Sequence, residues 1–297
     1  MLSGLSAFTV TPADEDGVVD TDHLQRLVSR LAGTDVDSIG VLGSTGGYMY
    51  LSPEQRERAL RAATEAAGQT PVLAGIGAMR TSEVLRHATV VADAGASALL
   101  LAPVSYLPLT DADFAGLVRD VAAASDLPVC LYNNPGTTHF TMSAELVIEL
   151  SRIENVKAVK NPATRDHATA AAQMAQLREN VPAGFVLGYS GDALINNPLK
   201  ADADAWYSVI AGTLPDLTLS IWNTRGDAAA VDAAHSKAAP LWALFNAHGG
   251  IRVVPEILNL MGLGPVVLPK PLLPLPNAIV AEIEAALDIL STTGAAA

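Results

Sequence analysis

From Ser6 to about Trp222 the chain repeats one pattern: a short apolar, β-branched run, then a longer Ala/Leu/Arg/Glu segment of helical period. This repetition admits few folds. Parallel strands need crossover connections, usually helices, and eight such units in succession favour closure of the sheet on itself. Strands are expected near Ser6–Val10, Ser38–Leu42, Val72–Ile76, Ala98–Ala102, Val129–Tyr132, Val156–Lys160, Phe185–Gly188 and Ala205–Ile210. The fold class this implies is α/β, a (β/α)8 TIM barrel with a C-terminal helical extension. Residues 1–222 form the barrel carrying the active site, and residues 223–297 form a C-terminal helical domain. A doubly wound open sheet is the competing architecture, but no G-x-G-x-x-G follows the first strand, whose exit reads Thr9-Val10-Thr11-Pro12.

Helix starts are legible between the strands. Ser52-Pro53-Glu54-Gln55 combines an N-cap serine, a proline at N1 and a capping-box glutamine. Thr81-Ser82-Glu83, Thr110-Asp111-Ala112-Asp113 and Ser143-Ala144-Glu145 open in the same way. After Asn223 the strand signals stop. Asp227–Phe245 and Ala278–Leu290 read as helices separated by a Pro/Gly-rich stretch from Gly249 to Pro276, and the Ala-rich tail is expected to fray.

Charge narrows the partners. With 18 Lys+Arg against 31 Asp+Glu, the net charge of −13 repels phosphate backbones and anionic headgroups, so no nucleic acid or membrane partner is expected. Small molecules or further copies of the chain are. Half of the residues are hydrophobic and 16% are charged, a balance that favours a homo-oligomer. The single cysteine, Cys130, precludes an internal disulfide framework and fits a reducing compartment. The N-terminal segment lacks the basic and apolar regions of a secretory signal, and a cytoplasmic location is expected.

In a barrel of this kind reactive groups sit on the loops leaving the C-terminal ends of the strands. Strand 6 ends in Lys160, one of five lysines in the chain, and its parity is opposite to that of Lys157. If Lys160 faces inward, burial lowers its pKa, and a neutral amine is what attacks a carbonyl. Otherwise it merely ends the strand in solvent or beside an acid. Strand 5 offers Tyr132, a proton relay or an aromatic plug, with Cys130 of the same parity as a small buried thiol. Strand 2 ends in Gly43-Ser44-Thr45-Gly46-Gly47, whose N–H groups and hydroxyls suit a carboxylate. Strand 7 ends in Gly188-Tyr189-Ser190-Gly191-Asp192, a small-residue loop able to admit substrate, and strand 4 leads to Tyr106.

Four motifs in register resemble the dihydrodipicolinate synthase / N-acetylneuraminate lyase family. They are Asp16-Gly17-Val18-Val19-Asp20, Gly43-Ser44-Thr45-Gly46 with Leu51-Ser52, Tyr132-Asn133-Asn134-Pro135, and the strand-ending Lys160. The resemblance spans Leu5 to Leu275 and implies a homotetramer with neither metal nor organic cofactor. It implies Lys160 as the Schiff-base lysine for pyruvate or another 2-oxo acid, Ser44 and Thr45 as carboxylate ligands, and Tyr132 as proton shuttle. Gly43, Gly46, Gly188, Tyr189 and Thr137 complete the expected substrate pocket, and Tyr106 is a candidate for the loop tyrosine of the relay.

Three departures bear on the substrate. The arginine that follows the Tyr-Asn-x-Pro motif in synthases of this family is Thr137, the glutamate after the Gly-x-Thr-Gly motif is Gly47, and the paired loop tyrosines align with Val104 and Ser105, leaving Tyr106 one position off. The expectation is therefore a class I aldolase or lyase acting on an aldehyde other than aspartate semialdehyde. Three readings remain beside it: a true 4-hydroxy-tetrahydrodipicolinate synthase, a keto-deoxy sugar acid dehydratase or aldolase, and a catalytically silent 2-oxo-acid binder. A metal-dependent aldolase is disfavoured, because the six histidines show no H-x-H or H-x-x-x-H pairing. Among them His139 reads as an ordinary loop residue.

Overall fold

Each of the eight expected strands forms, within two residues of its expected ends. In the computed structural model, which describes residues 2–292, these are β1 (Gly4–Phe8), β2 (Ser38–Val41), β3 (Val72–Gly75), β4 (Ala98–Leu101), β5 (Val129–Tyr132), β6 (Val156–Pro162), β7 (Val186–Ser190) and β8 (Ala205–Ser208). All neighbours pair in parallel and β8 returns to β1, closing the barrel in chain order. The Ala-rich tail lies outside the described residues.

Strand alternation divides the core in two. Inward-facing Phe8, Leu73, Leu100, Cys130, Tyr132, Ala158 and Tyr207 fill the barrel, while outward-facing Ile39, Leu99, Leu131, Val159, Leu187 and Trp206 pack under the helices. Space inside is rationed by small residues: a Cβ on Gly40 would strike the Phe8 ring. Register then sets the site, because Tyr132 lies opposite Lys160, and Lys160 opposite Gly188.

Most expected caps form, and the exceptions have local causes. Ser52 accepts from the Gln55 N–H at the start of Pro53–Ala67, and Thr110 and Asp113 make a full capping box. The Gln55 side chain does not return to Ser52; its Oε1 accepts from the Val19 N–H instead. The helix at Thr81–Asp93 is preceded by Arg80, with no side-chain cap. Among the described residues no helix is long and apolar enough to cross a membrane.

Beyond Pro215–Trp222 come helices Ala228–Ser236, Ala239–His248, Gly250–Leu260 and Asn277–Thr292. Gly250–Leu260 falls in the stretch expected to be irregular. Pro255 sits inside it, and its buried Val253, Val254, Ile257 and Leu258 supply the packing that overrides the local signal. These helices are fastened to the barrel mouth. His235 donates from Nε2 to the Asp192 carbonyl (2.9 Å), stacks on Trp242, and its own carbonyl accepts from the Trp242 indole.

Candidate active site

Lys160 is 2% exposed, whereas Lys157 on the same strand faces solvent. The Lys160 ammonium nitrogen lies 3.7 Å from the Phe8 ring centroid, 4.4 Å from that of Tyr132 and 5.9 Å from that of Tyr207. Three aromatic faces substitute for a carboxylate partner, and cation–π attraction is weaker than hydration of the charge. Burial therefore pushes the Lys160 pKa down to about 8, with Cys130 and Asp192 opposing the shift. The same burial pushes the Cys130 thiol up to about 12, which makes it an inert filler.

A chain of hydroxyls stands at the mouth beside the amine. Tyr132 Oη is 3.5 Å from Ser44 Oγ and accepts from Asn134 Nδ2 at 2.9 Å. The Asn134 amide also lies 3.3 Å from Ser44 Oγ and 3.0 Å from Thr137 Oγ1, so one side chain holds the ends of β2 and β5 together. Either hydroxyl of the Tyr132–Ser44 pair can donate to the other, the property a relay needs. Asn133 fixes the strand ends from behind: Nδ2 donates to Asn161 Oδ1 (3.0 Å) and to the Met142 carbonyl, and Oδ1 accepts from the Met142 N–H.

These groups open into a cavity of about 560 Å³, a volume typical of small-molecule sites. Ser44, Thr45, Tyr132, Thr137 and Lys160 all line it, as expected. The C-terminal helices supply Phe245, Asn246, Gly250 and Ile251 on the far wall, and a Cβ on Gly250 would come within 3.5 Å of Thr45 Oγ1. Among the described lining residues only Lys160 and Asp192 carry charge.

Five expected pocket residues, Gly43, Gly46, Tyr106, Gly188 and Tyr189, do not line this cavity. Tyr189 points outward into the layer under the helices, 1% exposed, because its neighbour Gly188 takes the inward parity and yields its space to the Tyr207 ring. Gly43 and Gly46 shape the loop without lining the cavity: a Cβ on the first would crowd Phe8, and one on the second would crowd the Thr9 carbonyl. Tyr106 is 87% exposed on the loop after β4 and outside the cavity of its own chain. His139 is exposed and ends the short helix Pro135–Thr138 in the left-handed region. Gly47, in place of the glutamate, has φ +66°, a conformation that L side chains rarely adopt.

The sequence reading assigned no role to Asp192 or Tyr48. Asp192 is 5% exposed and accepts from the Trp206 indole (2.8 Å) and from the Val209 and Ile210 N–H groups (3.3 Å each). Burial raises its pKa against the pull of these donors. An acid one residue past the small Ser190-Gly191 pair was the available signal.

A closed parallel barrel with a buried amine and a hydroxyl chain at its C-terminal mouth defines a TIM-barrel lyase. The model of the dihydrodipicolinate synthetase family matches residues 1–290, and the chain belongs to that family. A 4-hydroxy-tetrahydrodipicolinate synthase of Corynebacterium aurimucosum is 32% identical, over 96% of this chain and 92% of the relative. A solved dihydrodipicolinate synthase from Agrobacterium tumefaciens superposes with a TM-score of 0.94 at 44% identity, covering 97% of this chain and 98% of that one. Another, the chloride-inhibited enzyme of Acinetobacter baumannii complexed with pyruvate, gives 0.89 at 26% identity over 98% and 99%.

Proposed function

We propose that the chain is a class I aldolase or lyase that binds pyruvate, or a related 2-oxo acid, as a Schiff base on Lys160. The supporting observation is the burial of that amine against three aromatic rings, which lowers its pKa toward neutrality and so favours the neutral, nucleophilic form. The neutral amine adds to C2 of the oxo acid and water departs, giving an imine. Protonated, the imine withdraws electrons, so that the methyl carbon releases a proton and becomes an enamine. The enamine carbon then attacks an aldehyde, and hydrolysis returns the amine. In this reading Ser44 and Thr45 hold the carboxylate at the end of β2, and Tyr132 moves protons at the imine.

The second substrate is an aldehyde without a carboxylate of its own. Thr137 replaces the arginine of synthases, and no cation other than Lys160 lines the described wall. Cleavage of a keto-deoxy sugar acid into pyruvate and a neutral aldehyde is the same chemistry in reverse. The names of the relatives favour a second reading, condensation of pyruvate with aspartate semialdehyde. A coupled assay comparing aspartate semialdehyde with uncharged hydroxyaldehydes separates the two: preference for the uncharged aldehydes supports the first, and efficient condensation of the semialdehyde establishes the second.

A further inference from the structure

Tyr48 is the aromatic residue whose placement the proposed chemistry has not used. It lies one turn past the Ser44–Thr45 loop, in the short helix Tyr48–Tyr50, and is 5% exposed. Its ring lines the same cavity as Ser44, Tyr132 and Lys160. Among the described residues the Tyr48 hydroxyl makes no hydrogen bond, and it is not one of the buried polar atoms sealed from solvent, which leaves it free to exchange protons in the cavity. Its tip and Val104 Cγ2 flank Gly77, 3.1 and 3.0 Å from where a Cβ would stand, so the glycine leaves just enough room for the hydroxyl.

The ring also carries a cation. The Arg56 guanidinium carbon lies 5.0 Å from the Tyr48 centroid, with its nitrogens donating to the Gly75 and Gly77 carbonyls at 3.0 Å each. Arg56 is 5% exposed and forms no salt bridge among the described residues. Glu83 acts on Arg56 only beyond salt-bridge distance, and a buried guanidinium with no anion in contact is costly. It suits a neighbour that becomes negative transiently, and burial, which raises the Tyr48 pKa, is opposed by the Arg56 charge.

We propose that Tyr48 is a proton-relay residue, its hydroxyl exchanging protons with the Tyr132–Ser44 pair across the cavity they share and its transient phenolate stabilised by Arg56. The proposal rests on the Schiff-base reading. When the imine loses a methyl proton, the electron pair stays in the enamine C=C. The proton passes along the hydroxyls and is exchanged with water before it returns to carbon.

The test is Tyr48→Phe, which keeps the ring, its packing and the contact with Arg56 while removing one oxygen. Wild type and variant are incubated with pyruvate in D2O, and loss of the methyl proton signal is followed by NMR. Borohydride trapping of the pyruvate adduct and the thermal midpoint are measured on the same samples. The expected result is normal trapping and an unchanged midpoint, with exchange slowed by ~10²-fold, comparable to Tyr132→Phe. Exchange at the wild-type rate in a variant that still traps pyruvate overturns the role of Tyr48 alone. Absence of an adduct on wild type overturns this role together with the Schiff-base reading.

Discussion

Replacing Lys160 by methionine should make the protein more stable while removing its chemistry. Methionine is unbranched, of similar length and apolar, so it fills the same channel between Phe8 and Tyr132. Lowering the amine from its ordinary 10.5 to about 8 corresponds to a cost of about 3 kcal/mol for keeping the buried group charged at neutral pH. The attraction of the rings is already contained in that net figure, so the variant should gain up to ~3 kcal/mol at pH 7.

The pH dependence has a definite sign. Below pH 8 both folded and unfolded wild type hold the proton, and the cost is fully present. Between about 8 and 10.5 the folded protein has released it while the unfolded chain has not, so wild-type stability rises relative to the variant. Above that window the advantage of methionine disappears. Urea denaturation of both proteins at equal concentration, from neutral pH to about pH 10, measures the difference at each step. A variant less stable at neutral pH, or a difference that does not change with pH, would refute the reasoning.

Two further expectations follow from the geometry. Tyr132→Phe should cut turnover by ~10²–10⁴ without changing the unfolding free energy by more than ~1 kcal/mol if, as proposed, its hydroxyl serves the relay and its ring the core; unchanged turnover in a steady-state assay would make it packing alone. Asp192→Ala leaves the Trp206 indole and the Val209 and Ile210 N–H groups without their acceptor and should destabilise by at least ~2 kcal/mol, readable in urea denaturation.

How much was legible beforehand depended on whether a residue's role follows from alternation or from approach in space. Alternation on β6 established only that Lys160 and Lys157 face opposite sides; which of them turns inward was legible from the match of Lys160 to the family motif. Tyr132 and Cys130 followed by the same parity. On β7 that logic was misapplied: Gly188 and Tyr189 cannot both face the pocket, and the polar aromatic looked like a ligand group when its place was under the helices. The wall built by Phe245, Asn246 and Ile251 could not be inferred, since it joins the end of Ala239–His248 to Gly250–Leu260, a helix interrupted in sequence by Pro255 and held by tertiary packing. Tyr48 was equally hidden, because its partner Arg56 sits on the following helix and meets it only through the fold.

The central claim is that Lys160 is the amine on which the chemistry is built. Incubation with pyruvate, reduction with borohydride and peptide mass spectrometry test it directly, with Lys157→Ala as the control that should change nothing. A single reduced adduct on the peptide carrying Lys160 is the result predicted. No adduct on folded protein, or an adduct on another lysine, would contradict it.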